Sequence, residues 1–289
     1  MKYRFILNHK AEHRIGKMCK VLEVSRSGYH KYLHQKMSGL RLEKLRIIEL
    51  IKKIYSESGE SFGRLRIRQA LLLLGYQINK KRIQRIMRET GLCAKARRKY
   101  KVTTKSKKDA KFAENKLNQQ FTVTVPNKIW VSDITYIWTS EGWLYLAIVL
   151  DLYSRKIVGW SMSNRMTASL VTDAIEQAFM SREIEDQLIF HSDRGSQYTS
   201  NEVRELLEKH NCVQSMSAKG NCYDNAVAES FFKSLKVELI YWEKYLTRRS
   251  AISSIFAYIE IFYNRRRLHS TLGYCSPEEF ERINSSKAA

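Results

Sequence analysis

The stretch Ile129-Trp130-Val131-Ser132-Asp133-Ile134-Thr135-Tyr136 reads as a β-strand with a carboxylate in its middle. Its β-branched and aromatic side chains suit a pleated, half-buried surface, and the apolar run extends from Ile129 to Trp138. Two more β-rich runs follow, Trp143 to Tyr153 and Lys156 to Met162, and helical spacing returns from Ala168 to Met180. A strand from Leu188 to His191 leads into Ser192-Asp193-Arg194-Gly195, followed by a helix over Asn201 to His210 and a short strand over Val213 to Met216. Long helices are predicted over 224–242 and 247–266. Three strands in succession, then alternating helix and strand, predict an α/β domain: a mixed central sheet with helices on its faces.

Upstream the pattern is helical. Ile15, Met18, Cys19 and Leu22 recur at helical spacing, and Ser25 suits the N-cap of a second short helix through Tyr29, Tyr32 and Leu33. Helix, turn, helix with Arg26, His30 and Lys31 outward is the layout of a helix-turn-helix reader. A stripe of Leu42, Leu45, Ile48, Ile51 and Ile54 marks a helix over 41–58. Helices over 64–74 and 79–90 follow, separated by Gly75-Tyr76. The second of these buries Ile83, Ile86 and Met87 and turns Lys80, Lys81, Arg82, Arg85 and Arg88 outward, the cleaner of the two helix-turn-helix patterns. Periodicity then lapses in a polar stretch crowded with Lys95, Arg97, Arg98, Lys99 and Lys101, a linker suited to lie along a phosphate backbone. The predicted organisation is an N-terminal helix-turn-helix-like segment (1–38), a second helix-turn-helix-like module suited to DNA binding (39–94), a basic linker (95–125) and an α/β core with C-terminal helices (126–289).

Charge follows the same division. Of the net +22, residues 1–120 carry 32 Lys and Arg against 9 Asp and Glu, while residues 121–289 carry 19 against 20. A surplus confined to one part of the chain points to a polyanionic partner, bound in part through counterion release. No run approaches the ~20 apolar residues of a membrane span, and a 44% hydrophobic chain with two prolines is neither collagenous nor largely disordered. The five cysteines are scattered without a CxxC pair, so reduced thiols in a cytoplasmic chain are expected.

Acids are scarce among the apolar strands, which makes Asp133, Asp193 and Glu229 informative. Glu229 lies in Asp224-Asn225-Ala226-Val227-Ala228-Glu229-Ser230-Phe231-Phe232, among small and aromatic residues. Carboxylates in such surroundings are costly unless paired or bound to a cation. Three that converge can hold one or two Mg²⁺ ions, with positions left open for substrate oxygens.

With these residues on the page, the chain resembles the transposases of the IS3 family of bacterial insertion sequences, specifically their second-reading-frame product. The resemblance covers nearly the whole chain. It rests on Trp130 to Tyr136, on Leu150-Asp151-Leu152-Tyr153-Ser154-Arg155-Lys156-Ile157-Val158-Gly159-Trp160, on His191-Ser192-Asp193-Arg194-Gly195-Ser196-Gln197-Tyr198, on Asp224 to Phe232, and on Tyr263-Asn264 through His269-Ser270-Thr271-Leu272-Gly273-Tyr274. It implies an RNase H-like core related to retroviral integrases, with an Asp, Asp, Glu triad. The family spacing between second acid and Glu is matched, since 35 residues separate Asp193 from Glu229. The implied chemistry is Mg²⁺-dependent cleavage at the element's ends, with Mn²⁺ as a substitute ion, followed by 3′-hydroxyl attack on another phosphodiester. Asp133, Asp193 and Glu229 are the expected catalytic and metal-binding set. Lys233 and Lys236, four and seven residues beyond Glu229 on the same helix face, are expected DNA contacts, as are Lys81, Arg82, Arg85, Arg88, Arg97 and Arg98. The implied partners are double-stranded DNA (ends and target), further copies of the chain on DNA, and the upstream-frame product, all at the bacterial nucleoid.

Rival readings are a phage or retroelement integrase, which the 35-residue gap and tail motifs disfavour, and a non-catalytic DNA-binding regulator, which has no use for three acids. Asp151 is a fourth strand acid, expected to be structural. His9 and His13, and His30 and His34, have H-x3-H spacing, but no CxxC completes a zinc site. Tyr263, Arg265, Arg266, Arg267 and His269 form a basic, partly aromatic patch that suits either phosphate contact or a helix end.

Overall fold

The computed structural model of the chain describes residues 1–34, 39–95, 113–117, 123–218 and 225–288. It divides into two compact units, Met1–Lys52 and Lys53–Ala289. The first holds α1 (Lys2–Asn8), α2 (Ile15–Val21) and α3 (Arg26–Leu33) around a core of Ile6, Met18, Cys19 and Tyr29, together with most of α4 (Gly39–Glu57). The expected cap is made: the Ser25 hydroxyl accepts from the Gly28 backbone N–H at 3.0 Å, satisfying a donor that a helix start leaves unpaired. Gly28 leaves room there for the side chains of Tyr3 and Ser25, which a Cβ would displace. Arg26, His30 and Lys31 face solvent. Helix α1 is absent from the sequence reading, being too short for a period to show.

The second unit opens with α5 (Arg64–Leu73) and α6 (Lys80–Glu89), joined through Gly75 at φ +84°. Asn79 caps α6 by accepting from Lys81 N–H at 2.9 Å. Ile83, Ile86 and Met87 are buried, Lys81, Arg85 and Arg88 are exposed, and Arg82 is half-buried.

The core follows. Strands β1 (Ile129–Thr139), β2 (Gly142–Asp151), β3 (Ile157–Ser163), β4 (Ile189–Ser192) and β5 (Val213–Met216) form a mixed sheet in the order β3-β2-β1-β4-β5. β1, β2 and β3 run antiparallel as two hairpins, and β4 and β5 add in parallel beside β1. α7 (Ala168–Ser181) and α8 (Asn201–Lys209) cover one face, burying Trp130, Val149, Ala174, Phe190 and Leu207. α9 (Ala226–Glu238) and α10 (Arg248–Phe256) cover the other, burying Val131, Ile148, Phe231, Leu235 and Ile255. Successive β1 residues therefore serve opposite cores, as the pleat requires. Gly159 lets α7 lie directly on β3, since a Cβ there would strike the backbone at Ala174 and Ala178.

The C-terminal third departs from the expected pair of long helices. α9 stops at Glu238, where Leu239 leaves helical geometry (φ −126°, ψ −70°), and a short 3₁₀ turn spans Ile240–Trp242. α10 continues as a π-helical stretch over Ala257–Tyr263. A final helix, α11 (Pro277–Ala288), was not expected. It is held by Glu281, which accepts from Ser154 and pairs with Arg182, both at 2.6 Å. Partners so distant in sequence leave no local signal.

Candidate active site

The sheet register places the two strand acids. Parallel pairing sets Val131 beside His191, the last pair of that ladder; Asp133 and Asp193 each stand two residues further on, with Asp193 just past the end of β4. Asp133 also pairs across β2 with Ile148, a residue of the α9-facing core, so its side chain lies on the α9 face. Asp133 Oδ1 accepts from Ile134 N–H at 2.8 Å, and Asp193 Oδ1 accepts from Gly195 N–H at 2.9 Å. These short contacts aim the two carboxyls without neutralising them.

Glu229 occupies the first turn of α9. The start of this helix is tied to β1 through Asn225, which is buried and donates from Nδ2 to the Ser132 carbonyl at 3.1 Å, immediately before Asp133. Burial first, then the negative charges of Asp193 and Glu229, push the Asp133 carboxyl up to about 8. Asp193 and Glu229 are also raised, mainly by desolvation, with Lys233 opposing the rise at Glu229. Beneath the acids, the buried Tyr198 hydroxyl meets Ser132 Oγ at 2.8 Å. Lys236 is half-buried, close enough to lower the pKa of Asp133, with its ammonium 5.3 Å from the centre of the Tyr136 ring. Lys233 is exposed.

Asp133, Asp193 and Glu229 therefore share one electrostatic neighbourhood. Among the described residues, no three His, Cys, Asp or Glu side chains are packed as a metal-holding group, and Glu229 and Asp193 are exposed. Asp151 lies elsewhere: it pairs with Trp130 and so faces the α7 side of the sheet. It is buried, accepts backbone N–H bonds from Asn127 (3.0 Å) and Tyr153 (2.9 Å), and is pushed up to about 6 by burial. His191 is a core histidine between Ser215 Oγ (2.9 Å) and Ser217 Oγ (3.2 Å).

The Tyr263–His269 patch divides. Tyr263, Arg267 and His269 are buried, and Arg267 forks onto Glu238 at 2.8 Å; only Arg265 and Arg266 are exposed. Its inner members hold the fold, and so does Asn264, whose side chain pairs with both backbone groups of Ile157 at 3.0 Å. Lys81, Arg85 and Arg88 line one face of α6, whereas Arg97 and Arg98 lie outside the described residues. Asn225 and Tyr198 were missed as site residues. Both stand inside the quoted motifs, but amides and phenols carry no spacing signature of their own.

Family models match in three places: an integrase core domain over residues 123–222, an HTH-like domain over 43–100 and a second integrase core model over 229–284. The chain is 43% identical over 286 residues to the transposase InsF of insertion sequence IS3A from Escherichia coli K12, covering 98% of this chain and 99% of that protein. It is 45% identical over 254 residues to the transposase of insertion sequence element IS904 from Lactococcus lactis, covering 88% of this chain and all of that protein. The catalytic core domain of BIV integrase superposes with a TM-score of 0.42 at 20% identity, covering 56% of this chain and 99% of that one. With an integrase core behind an HTH-like module and such identity along nearly its whole length, the chain belongs to the IS3 family of insertion-sequence transposases.

Proposed function

We propose that this transposase is an Asp, Asp, Glu polynucleotidyl transferase that cuts DNA at the ends of its element and joins the freed 3′-hydroxyl to a target phosphodiester. The observation that supports this reading is the surroundings of Asp133: Asp193 follows β4 just past its ladder with β1, and the charges of Asp193 and Glu229 both raise the pKa of the Asp133 carboxyl. Clustered like charges are costly to a fold, and a site for cations gives them a use. The donor set is all oxygen, the chemistry Mg²⁺ prefers, and Mn²⁺ is the natural substitute. Asp133, Asp193 and Glu229 would hold the ions, two for an in-line displacement; when bound, they activate the attacking oxygen and stabilise the leaving one.

The chain's own residues do the rest. Gly195 and Ile134 N–H groups fix the carboxylate rotamers, and Asn225 holds the start of α9 against β1. Lys233 and Lys236 offer ammonium groups to the phosphates flanking the reacting bond, and Lys81, Arg82, Arg85 and Arg88, with Arg97 and Arg98 of the linker, grip the duplex further out. Two ends and a target must be held together, so the chain works as an oligomer on DNA at the nucleoid, with the upstream-frame product as partner or fusion.

Asp133→Asn, Asp193→Asn and Glu229→Gln should each abolish Mg²⁺-dependent nicking of an end-bearing duplex while leaving binding to the same DNA within a few-fold. Asp151→Asn, on the other face, is the control: it changes stability without selectively removing chemistry. Near wild-type nicking by Glu229→Gln would remove Glu229 from the set.

A further inference from the structure

β4 pairs with β1 only over Ile129–Val131, so beyond that point this edge of β1 has no partner strand among the described residues. An open edge is usually protected by charge or covered. Here it borders a groove of about 650 Å³ whose lining includes Tyr136, Trp138, Trp143, Lys236 and Lys244. The rings are exposed: Tyr136 by 51%, Trp138 by 61% and Trp143 by 43%. They are also ordered against one another. Trp143 sits directly across the hairpin from Trp138 and packs edge-on to it at 4.8 Å and to Tyr136 at 5.0 Å. The hairpin tip is clamped, with Arg248 donating to Glu141 O and to Trp143 O and Ser140 N–H donating to Tyr245 O. A rigid aromatic platform loses little entropy when it is covered.

Lys236, on the helix that carries Glu229, holds its ammonium 5.3 Å from the centre of the Tyr136 ring, and Tyr136 stands three residues beyond Asp133 on β1. The groove therefore opens from Tyr136 and Trp138, a few residues along β1 from Asp133 and on the opposite face of the pleat. Exposed rings interleaved with lysines match the recognition of unpaired nucleotides, in which bases stack on aromatic faces and cations follow the backbone. The geometry points to a stacking site for unpaired bases of the DNA strand next to the reacting phosphodiester, built on Tyr136, Trp138 and Trp143. This rests on the active-site reading above, which supplies the DNA strand; the platform itself is independent of metal.

The test is therefore run without metal. Full-length protein is titrated with a fully paired duplex and with the same duplex bearing a short unpaired flap, and tryptophan fluorescence and affinity are followed. The wild type should bind the flapped duplex more tightly, with quenched fluorescence. Trp138→Ala should lose that preference by about 5- to 100-fold while holding the paired duplex as before. Trp138→Phe, which keeps a π-face, should retain most of it and guards against misfolding. An unchanged preference in Trp138→Ala overturns the proposal. So does a Trp138→Ala protein whose only change is a shift from dimer to monomer in sedimentation, which would make the groove a contact between copies. Neither result touches the triad, which Glu229→Gln nicking tests separately.

Discussion

Asp133 and Asp151 are carboxylates of one hairpin with opposite surroundings. Asp151 has both oxygens occupied by backbone N–H groups in a dry core, whereas Asp133 has one such bond and two like charges near it. The second arrangement leaves the greater acceptor capacity for a cation. His269 is a third contrast. Burial, then the charges of Arg267, Arg66 and Arg155, push its pKa down to about 2, so it stays neutral in the fold. The unfolded chain takes up a proton there below pH ~6.5 and the folded one does not, so stability present above that pH is lost as pH falls. Between pH 6.5 and 5 the loss should be about 2 kcal/mol. His269→Gln removes this titration, and urea unfolding at both pH values should show the wild type losing about that much more than the variant. Equal losses would mean that His269 protonates within the fold.

Helix α9 carries function at one end and structure at the other. Glu229, Lys233 and Lys236 follow one another at helical spacing, and the last turn presents Glu238, which is buried. Burial alone would raise the Glu238 pKa, but hydrogen bonds and charge from Arg267, with Arg66, hold it below the usual range. Tyr258 donates to it at 2.8 Å, and Arg66 of α5 reaches it at 3.4 Å while also donating to Leu268 O at 2.9 Å. The acid thereby ties α5 of the helical module to the helix that positions Glu229. Glu238→Gln leaves Arg267 buried without its counter-charge and should cost about 3–5 kcal/mol, measured by denaturant unfolding. A loss below about 1 kcal/mol would show that solvent screens this cluster as it does surface pairs.

Across the chain, charge and chemistry are separated. The basic surplus lies in residues 1–120, and the three proposed ligands lie beyond residue 121 in a part with a net charge of −1. Affinity for DNA should therefore fall steeply with salt while the chemistry depends on the acids. Replacing Lys81, Arg85 and Arg88 together by Ala should lower the slope of log K against log salt by about 2–3, since each phosphate contact contributes roughly 0.9. Filter binding or anisotropy over a salt series reads this directly, and an unchanged slope would place the exposed face of α6 off the DNA.

The succession of strands and helices along the chain, the helix-turn-helix layout and the triad candidates were legible in the sequence, because each depends on local regularities. The pleat alternates burial along β1, the 3.6-residue turn separates the two faces of α6, and a 35-residue gap can be counted. What pairs with what was not legible. Bringing Asp193 to the end of the ladder beside β1 needs parallel pairing of segments 60 residues apart, and the opposite facing of Asp151 follows from its pairing with Trp130. The inward turn of Arg267 and His269 follows from Glu238, and α11 is held by Glu281 through partners about a hundred residues away. A residue's type and spacing record its local geometry, whereas its charge partner is chosen by the packing of distant segments, and packing leaves no periodic trace along the chain.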